Sequence, residues 1–410
     1  MFDSDHKLRH LPFFEEIAAL EEGSAEWHAG TAGLVVLRLV DAWLEDGPSV
    51  ATDGDWSIRS VRCAIEAMDD GTPIRAILGR IVDALKEQRP DVHVVVSPLL
   101  AYGQALEYDA KWPQAADVYH SVLAHLHPTE DGDTSIAAHL RLGQCYRNLN
   151  RIDDAAAAFT AASEIATAVG DMVGVLRARI GEARIAMVRG NLPRAEEILD
   201  DTIRRAAAAD LQDVRSRALH DRANVAHFRG QYDLSIQIAY EALGQSQSPT
   251  EHDRILSDIA VSFLELGVYS AARDAYLILS ATAQEQYVRW ASMLNLLEIA
   301  SSTGDEILFE LYGRQLTGQD VPPIMATAFQ LNLGVGYHRL GKVERARSHL
   351  ERAMSSAREH GFNQYLFQAE EALLQLDSVA PPRRVARDVS LDVEEVALAI
   401  REIRESVGVS

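Results

Sequence analysis

The sequence predicts an all-α fold: a right-handed α-solenoid of about eight helix-turn-helix repeats, with capping helices at its amino and carboxyl ends. Three observations predict it. Small residues recur at a nearly fixed interval, a glycine or asparagine precedes most of them, and 47% of the chain is hydrophobic with only 13 prolines among 410 residues. A long fixed period is typical of stacked repeats, and the scarcity of proline permits continuous helices.

The recurring small residue marks the second helix of each predicted hairpin, at the point where two helices approach most closely. Successive markers lie 39, 40, 40, 40, 37, 37 and 37 residues apart. A register held over eight units indicates a repeat array. The markers are Ala76, Ala115, Ala155, Ala195, Ser235, Ala272, Phe309 and Ala346. Because Phe309 is large, we expect a local kink in its unit.

A turn residue stands five positions before each marker. Glycine and asparagine adopt left-handed backbone angles at low cost, so they end helices efficiently. The residue twelve positions before the marker is small in every unit except the one containing Leu297. A large side chain such as Phe159 often stands four positions after the marker. The predicted turn residues are Gly71, Ala110, Asn150, Gly190, Gly230, Gly267, Gly304 and Gly341.

This pattern resembles the tetratricopeptide repeat, whose signature combines Leu-Gly, an aromatic residue, alanine and a second aromatic residue over roughly 34 positions. The resemblance covers about residues 57 to 360, in units longer than the family standard. It implies that first helices line a concave surface that binds proteins or peptides. The best match consists of Leu142-Gly143, Tyr146, Ala155, Phe159 and Ala162, followed by Leu333-Gly334, Tyr337, Ala346, Leu350 and Ala353.

The repeat region also sets the predicted domain boundaries. We expect an amino-terminal helical cap at 1–56, the solenoid at 57–360, a capping helix at 361–376, a linker at 377–390 and an amphipathic helix at 391–410. The last helix places Val393, Val396 and Ile400 on one stripe. Such a stripe requires a covering surface, which is the array itself, a second copy in a homo-oligomer, or a partner.

Charge and composition exclude several classes of function. A formal net charge of -22 argues against binding nucleic acid or anionic membranes. The amino terminus lacks the pattern of a secretory signal, and no apolar run is long enough to span a bilayer. Cys63 and Cys145 are the only cysteines, which is typical of a reducing compartment. We therefore expect a cytoplasmic protein.

No residue pattern indicates catalysis. His120, His125 and His127 fall on different helical faces, so we expect no metal site. Phosphate-loop, dinucleotide-binding and nucleophile-elbow motifs are missing from the sequence. Paired acids lie on second helices, where solvated faces are far commoner than catalytic dyads. We predict that the chain is not an enzyme and uses no cofactor.

Arginines are concentrated on the first helices of the units marked by Ala155, Ala195 and Ser235. We call this set the arginine strip. Against these arginines we count only three acidic residues, Glu182, Asp213 and Asp221. The strip comprises Arg141, Arg147, Arg177, Arg179, Arg184, Arg189, Arg215, Arg217, Arg222 and Arg229. It predicts affinity for an acidic or carboxylate-bearing peptide, although arginines that only bridge neighbouring helices would produce the same pattern.

The resemblance identifies positions that usually point into the groove. In this sequence they are Gln144, Arg177, Arg184, Arg217, His220, Asn224, His227 and Arg254. We expect protonation of the two histidines near pH about 6.5 to strengthen capture of an acidic ligand. The leading hypothesis is a non-catalytic scaffold or adaptor that binds a protein or peptide. The alternative is a ligand- or peptide-responsive regulatory sensor that acts on a separate output protein.

Overall fold

The computed structural model describes residues 9–46, 55–85, 91–317, 321–376 and 389–409, and these ranges contain twenty α-helices and no β-strand. The all-α prediction is confirmed. None of the described helices has the length and apolar character that crossing a bilayer requires. The chain divides into two compact units, Met1–Ile198 and Leu199–Ser410.

The first unit contains nine helices and the start of a tenth. They are α1 (Leu11–Ala19), α2 (Ala25–Asp46), α3 (Asp55–Glu66), α4 (Pro73–Ala84), α5 (Val92–Tyr108), α6 (Trp112–Ala124), α7 (Gly132–Asn148), α8 (Ile152–Val169), α9 (Met172–Val188) and α10 (Leu192–Ala208).

The second unit contains the end of α10 and ten further helices. They are α11 (Gln212–Phe228), α12 (Tyr232–Gln245), α13 (Pro249–Leu266), α14 (Tyr269–Thr282), α15 (Gln286–Thr303), α16 (Glu306–Leu316), α17 (Pro323–Arg339), α18 (Val343–Glu359), α19 (Asn363–Leu374) and α20 (Leu391–Val407).

Eight successive helix pairs, from α3–α4 to α17–α18, correspond to the eight predicted repeats. Seven of the eight predicted turn residues have the left-handed backbone angle that ends a first helix. The φ angles are 57° at Ala110, 58° at Asn150, and 72° to 77° at Gly190, Gly230, Gly267, Gly304 and Gly341. Even the alanine adopts this angle, so the position in the turn determines the backbone more strongly than the residue type does.

The first pair departs from the predicted register. Gly71 lacks a positive φ, and Ala76 is exposed instead of lying at a close contact. The helix α4 buries Ile74, Leu78 and Ile81, which turns Ala76 toward solvent. The connection between α3 and α4 is also longer than the other turns within the pairs, so it does not need a left-handed residue. The marker prediction is wrong for this unit.

The small residues permit close packing where the spacing predicts it. Ala155 is fully buried. A Cβ atom at Gly143 would lie 2.7 Å from Phe159 Cε1, and one at Gly181 would lie 2.5 Å from the same atom. Phe159 therefore fills a space between the first helix of its own pair and that of the next. Any larger residue at either glycine would displace the ring.

The unit that contains Phe309 keeps close packing by exchanging large and small residues. Phe309 is fully buried, and a Cβ atom at Gly336 of α17 would lie 2.2 Å from its Cε2 atom. Gly313 occupies the position four residues later where other units carry a large side chain. The space for the ring therefore comes from a glycine on the next first helix. The local kink expected for this unit stays a prediction.

The carboxyl-terminal helix α20 docks on α12 and α14 of its own chain. Val393, Val396 and Ile400 are buried. The Arg404 guanidinium donates to the buried Asp274 carboxylate at 3.0 Å. Of the three coverings predicted for the apolar stripe, the structure shows the array. Residues 377–388 of the predicted linker lie outside the described ranges.

The amino-terminal helices α1 and α2 pack on each other and on α6. His10, just before α1, is buried, with Nδ1 2.7 Å from Asp117 and Nε2 3.3 Å from Asp41. Burial opposes its charge, but the two carboxylates outweigh burial and raise the His10 pKa to about 9. These ionic contacts hold the start of α1 against α2 and α6. Residues 1–8 and 47–54 of the predicted cap lie outside the described ranges.

Candidate functional site

The predicted groove residues of the first unit lie on the first helices α7 and α9. Gln144 is half-buried and donates to Asn148 at 3.4 Å. Arg177 is exposed, and Arg184, two turns further along α9, is half-buried. Residues seven positions apart share one helix face. The structure therefore places Arg177 and Arg184 on the same side of α9, as the spacing predicts.

The predicted groove residues of the second unit lie on α11 and α13. Arg217, His220, Asn224 and His227 follow one another at intervals of three and four, so they form one stripe along α11. Arg254 is exposed on α13, with its guanidinium 3.9 Å from the Glu285 carboxylate. The predicted stripe is present, but most of its members already have partners.

His220 lies between two carboxylates of the next first helix. Its Nδ1 is 2.9 Å from Glu251 Oε1, and its Nε2 is 2.7 Å from Asp258 Oδ2. The ring is 6% exposed. Burial alone would lower its pKa, but the hydrogen bonds to Asp258 and Glu251 prevail and raise the pKa to about 9.

This geometry corrects the expected pH response of His220. With a pKa of about 9 the ring stays charged at neutral pH, and its charge is balanced by Glu251 and Asp258. Lowering the pH through about 6.5 therefore changes little at this residue. The contacts give His220 a structural role, that of joining α11 to α13.

The arginine strip is also extensively paired with carboxylates. Five arginines each contact an acid within the same compact unit of the chain, and four of those five acids lie on another helix. These pairs are Arg141–Glu107, Arg189–Asp153, Arg215–Glu241, Arg217–Asp213 and Arg222–Asp200. The bridging arrangement that the sequence left open accounts for four of these pairs, and Arg217–Asp213 lies within α11. The strip therefore presents less positive charge than its composition suggests.

The polar residues at the end of α11 continue into the hairpin core. His227 Nδ1 lies 3.0 Å from Ser262 Oγ, which lies 3.2 Å from Ser235 Oγ. Both serines are buried. Asn224 lies half-buried between His220 and His227 along the stripe. Its amide offers both a donor and an acceptor to a ligand on this face.

A cleft of about 530 Å³ lies among α15, α17 and α19. Two of these are first helices of successive pairs, and α19 follows the last pair. Each helix presents one stripe to the cleft, and α15 does so through Ala291, Leu294, Asn295 and Glu298. This spacing of three and four residues is that of a single helix face. We call this feature the C-terminal cleft.

The buried part of the C-terminal cleft lining, which we call its floor, is apolar, and polar side chains also line the cleft. Met325, Ala328 and Leu331 of α17 form buried parts of the lining. Tyr287 of α15 and Tyr365 of α19 also line it, and they interact: burial raises the Tyr365 pKa, and the neighbouring Tyr287 phenol raises it further. An apolar floor below a few polar groups is typical of sites for small ligands and peptide side chains.

Asn295 and Asn332 give the cleft repeated amide groups. Both line it, from α15 and α17. Each stands fourteen residues before its marker, at Phe309 and Ala346 respectively. Sequence reasoning missed them because it concentrated on charged residues in earlier units. Their 37-residue spacing is the signal that could have found them.

The described residues offer no site for metal chemistry. They contain no group of three or more His, Cys, Asp or Glu side chains arranged to hold a metal ion. Cys145 is buried, and burial raises its thiol pKa, so the reactive thiolate is disfavoured. Cys63 is an exposed free thiol.

Comparison with protein families finds the tetratricopeptide repeat in three places. The matched residues are 136–168 in one form of the repeat, and 176–201 and 327–352 in another. All three coincide with successive helices of the array, α7–α8, α9–α10 and α17–α18. No curated protein matches the chain.

Several solved structures are similar to this chain. The apo form of the quorum sensor NprR from B. thuringiensis is 13% identical, with a TM-score of 0.50 over 84% of this chain and 90% of that one. A Rap protein complexed with competence and sporulation factor is 10% identical, with a TM-score of 0.47 over 88% of this chain and 100% of that one. The likeness to NprR shows a shared helical-repeat fold.

Proposed function

We propose that this chain, as a member of the tetratricopeptide-repeat family, is a non-catalytic receptor for a peptide or an extended segment of a partner protein. The C-terminal cleft is the observation that carries this proposal. It is open on a first-helix face, and it combines buried apolar side chains with the amides of Asn295 and Asn332. A repeat array that acted only as a rigid spacer between other proteins would not need such a cleft.

An extended peptide fits this surface better than a folded protein does. Its backbone exposes donors and acceptors at regular intervals, and amide side chains can satisfy both. Its side chains alternate in direction, so one can enter an apolar floor while the next remains outside. The amide side chains that line the C-terminal cleft can bond to such a backbone, and its buried apolar side chains can receive every second side chain.

The test begins with capture of the partner on the full chain and its identification by mass spectrometry. Overlapping synthetic peptides of about 15 residues that cover the partner would then be titrated separately. We expect one short peptide to reproduce most of the affinity, because the cleft accepts only a few side chains. Binding that requires the intact folded partner, with every peptide silent, would contradict the proposal.

The finer expectation of an acidic ligand stays a proposal for the arginine strip. It is supported by the exposure of Arg177 and Arg254 on first helices, of which Arg254 also lies 3.9 Å from Glu285. It is weakened by the five carboxylate pairs, because each neutralises one cation. Electrostatic attraction on this face would act mainly on the association rate and would fall with added salt.

A peptide-responsive sensor is the second candidate function. NprR is described as a quorum sensor, and the Rap structure contains competence and sporulation factor. Within this chain the proposal is supported by α20, a separate helix joined to α14 through the Arg404–Asp274 pair. Release of such a helix on ligand binding would expose a new surface. Amide exchange in α20 that stays the same when a ligand binds would argue for a plain adaptor.

Oligomeric state and location stay predictions. The main apolar stripe of α20 is buried within the chain, which leaves Leu391 and Leu398 exposed, at 76% and 54%. An oligomer through this helix would use those two residues or displace the helix. Analytical ultracentrifugation of the wild type and of Leu398→Glu would distinguish a monomer from an oligomer of this kind. The expected cytoplasmic location requires microscopy of the tagged chain.

A further inference from the structure

We infer that the C-terminal cleft binds a peptide segment in which an aliphatic or aromatic side chain stands beside a lysine or arginine. This inference rests on the proposed function and narrows it to one ligand chemistry at one place. It differs from the acidic ligand that the arginine strip suggests. The argument uses the floor of the cleft, its amide groups and its charge in turn.

The floor of the cleft requires an apolar side chain. Met325 and Ala328 of α17 are each 5% exposed and form part of the lining. Tyr287, on α15, is 57% exposed, so its ring is available to cover a side chain that enters. Burying an aliphatic or aromatic side chain against this surface would contribute to affinity through the hydrophobic effect. A purely polar peptide would leave this surface wet.

The amide groups require a peptide backbone beside that side chain. Asn332 Nδ2 donates to Ala328 O at 2.9 Å, which fixes the side chain and leaves its oxygen to accept a further hydrogen bond. Asn295 lies one repeat earlier on the neighbouring first helix. Two amides at equivalent repeat positions present the same groups to successive parts of an extended chain. They orient the backbone without selecting its charge.

The charge of the cleft excludes an acidic residue as the neighbour. Among the described residues that line the cleft, Arg339 is the only cation; its guanidinium donates to Ser301 and Ser302 at 3.2 and 3.1 Å and lies 3.7 Å from Glu298. Glu371 of α19 also lines the cleft and is exposed. It accepts only a 3.3 Å hydrogen bond from Gln375 among the contacts within the described ranges.

Within the described part of the chain Glu371 forms no ion pair, and such an exposed carboxylate beside buried apolar side chains attracts a lysine or arginine. The field of the whole chain has the same sign, since the net charge is -22. Both the local and the long-range charge therefore favour a cationic peptide. An acidic peptide would approach Glu371 against repulsion, because no cation of the described lining is paired with that carboxylate.

The test selects ligands from a random 12-residue peptide library displayed on phage, with the full chain immobilised. We expect the enriched peptides to place lysine or arginine next to leucine, isoleucine, phenylalanine, tyrosine or tryptophan. A selected peptide and its Lys→Gln form would then be titrated by fluorescence anisotropy against the wild type and three variants. The library contains all residue types, so it favours neither charge.

The three variants separate charge from space. Glu371→Gln removes the charge at constant shape, and Ala291→Trp fills the cleft without changing any charge. Glu370→Gln is the matched control, because Glu370 is next in sequence but lies 3.7 Å from Arg358 and outside the lining. All variants must melt like the wild type before their binding is compared.

Glu371→Gln should weaken the lysine peptide about two- to fivefold, which is the range of exposed ion pairs. The same change should leave the Lys→Gln peptide unaffected, since the two changes remove one interaction. Ala291→Trp should weaken both peptides more than tenfold, and Glu370→Gln should weaken neither.

Other outcomes would overturn the inference in distinguishable ways. Peptides that bind the wild type and Ala291→Trp equally would place the site elsewhere and leave peptide binding intact. Acidic peptides that lose binding in Ala291→Trp would confirm the cleft and contradict its ligand chemistry. A folded chain that enriches no peptide at all would contradict both this inference and the proposed function.

Discussion

The first-helix face of α11 and α13 differs from that of α15 and α17, although the same repeat positions are involved. Asp258, Asn295 and Asn332 stand at 37-residue intervals and are equivalent by repeat. Asp258 is held by His220 from the preceding first helix, at 2.7 Å. Asn295 and Asn332 line an open cleft. A repeat position thus either joins neighbouring helices or stays available to a ligand, and the residue opposite decides which.

The two regions are also stabilised by different forces. The contact between α11 and α13 contains an ionic cluster around His220, which responds to pH. The packing around α16 and α17 contains Phe309 and Gly336, which do not titrate. Hydrophobic packing holds the neighbourhood of the cleft in place without using the groups that would bind a ligand. The comparison predicts that single changes affect the two regions differently.

The largest expected effect is the loss of the Phe309 ring. Phe309→Ala should lower the free energy of unfolding by about 3 to 5 kcal/mol, because the side chain is fully buried. The loss should be the same at pH 6 and pH 9. Urea unfolding at both pH values would measure it. Unfolding at the wild-type urea concentration would show that Phe309 is not in the core.

Gly336→Ala provides the matched test of the same contact. Alone it should destabilise the chain by about 1 to 3 kcal/mol, because its Cβ atom would overlap the Phe309 ring. Combined with Phe309→Ala it should cost much less, since the ring that it meets is gone. If the two losses of stability add in the double variant, Phe309 and Gly336 do not pack against each other, which would contradict the proposed contact.

The next effect is a pH-dependent contribution of His220. Its pKa is raised from about 6.5 in the unfolded chain to about 9 in the folded one, so its stabilisation is complete below pH about 6.5 and is lost as the pH rises through about 9. We expect a contribution of about 2 kcal/mol, after allowing for solvent around the partly exposed Asp258.

Thermal melts of the wild type and His220→Gln between pH 6 and pH 10 would check this contribution. His10 has a raised pKa of the same size, so the wild type should lose stability through two groups and the variant through one. The variant should therefore show the flatter profile. Parallel profiles would mean that Glu251 and Asp258 do not raise the pKa of His220 in the folded chain.

The smallest expected effect on stability comes from the arginine strip. The double variant Arg184→Glu and Arg217→Glu should change the free energy of unfolding by about 1 kcal/mol or less, because the Arg217–Asp213 pair is partly exposed. If an acidic ligand uses the strip, the same variant should abolish most of its binding at low salt. If the C-terminal cleft is the main site, binding of a cationic peptide should stay unchanged or rise.

Local sequence signals predicted much of the fold. Asn150 and Gly230 end first helices because few other residues adopt their backbone angle cheaply, and this chemistry is visible in the sequence. The Gly143–Phe159 contact followed from spacing within one hairpin. The failure at Ala76 has the same origin, since a longer connection changes which face of α4 is buried.

The partners of the candidate site could not be predicted in the same way. His220 meets Glu251 and Asp258, which stand 31 and 38 residues away, so their contact depends on how one hairpin packs on the next. Sequence reasoning placed His220 on a first helix and assigned it an ordinary pKa. The C-terminal cleft likewise requires α19, which the sequence presented only as a cap. Contacts between units determine what a shared repeat position does.

Hydrogen–deuterium exchange of the full chain, with and without a selected peptide, tests the central claim most directly. A ligand that lies on the first-helix face slows exchange where it covers or rigidifies the helices beneath it. We predict protection in α15, α17 and α19, with α12, α14 and α18 unchanged. Protection confined to α12, α14 or α18 would show that the ligand uses the second helices, and it would contradict the account.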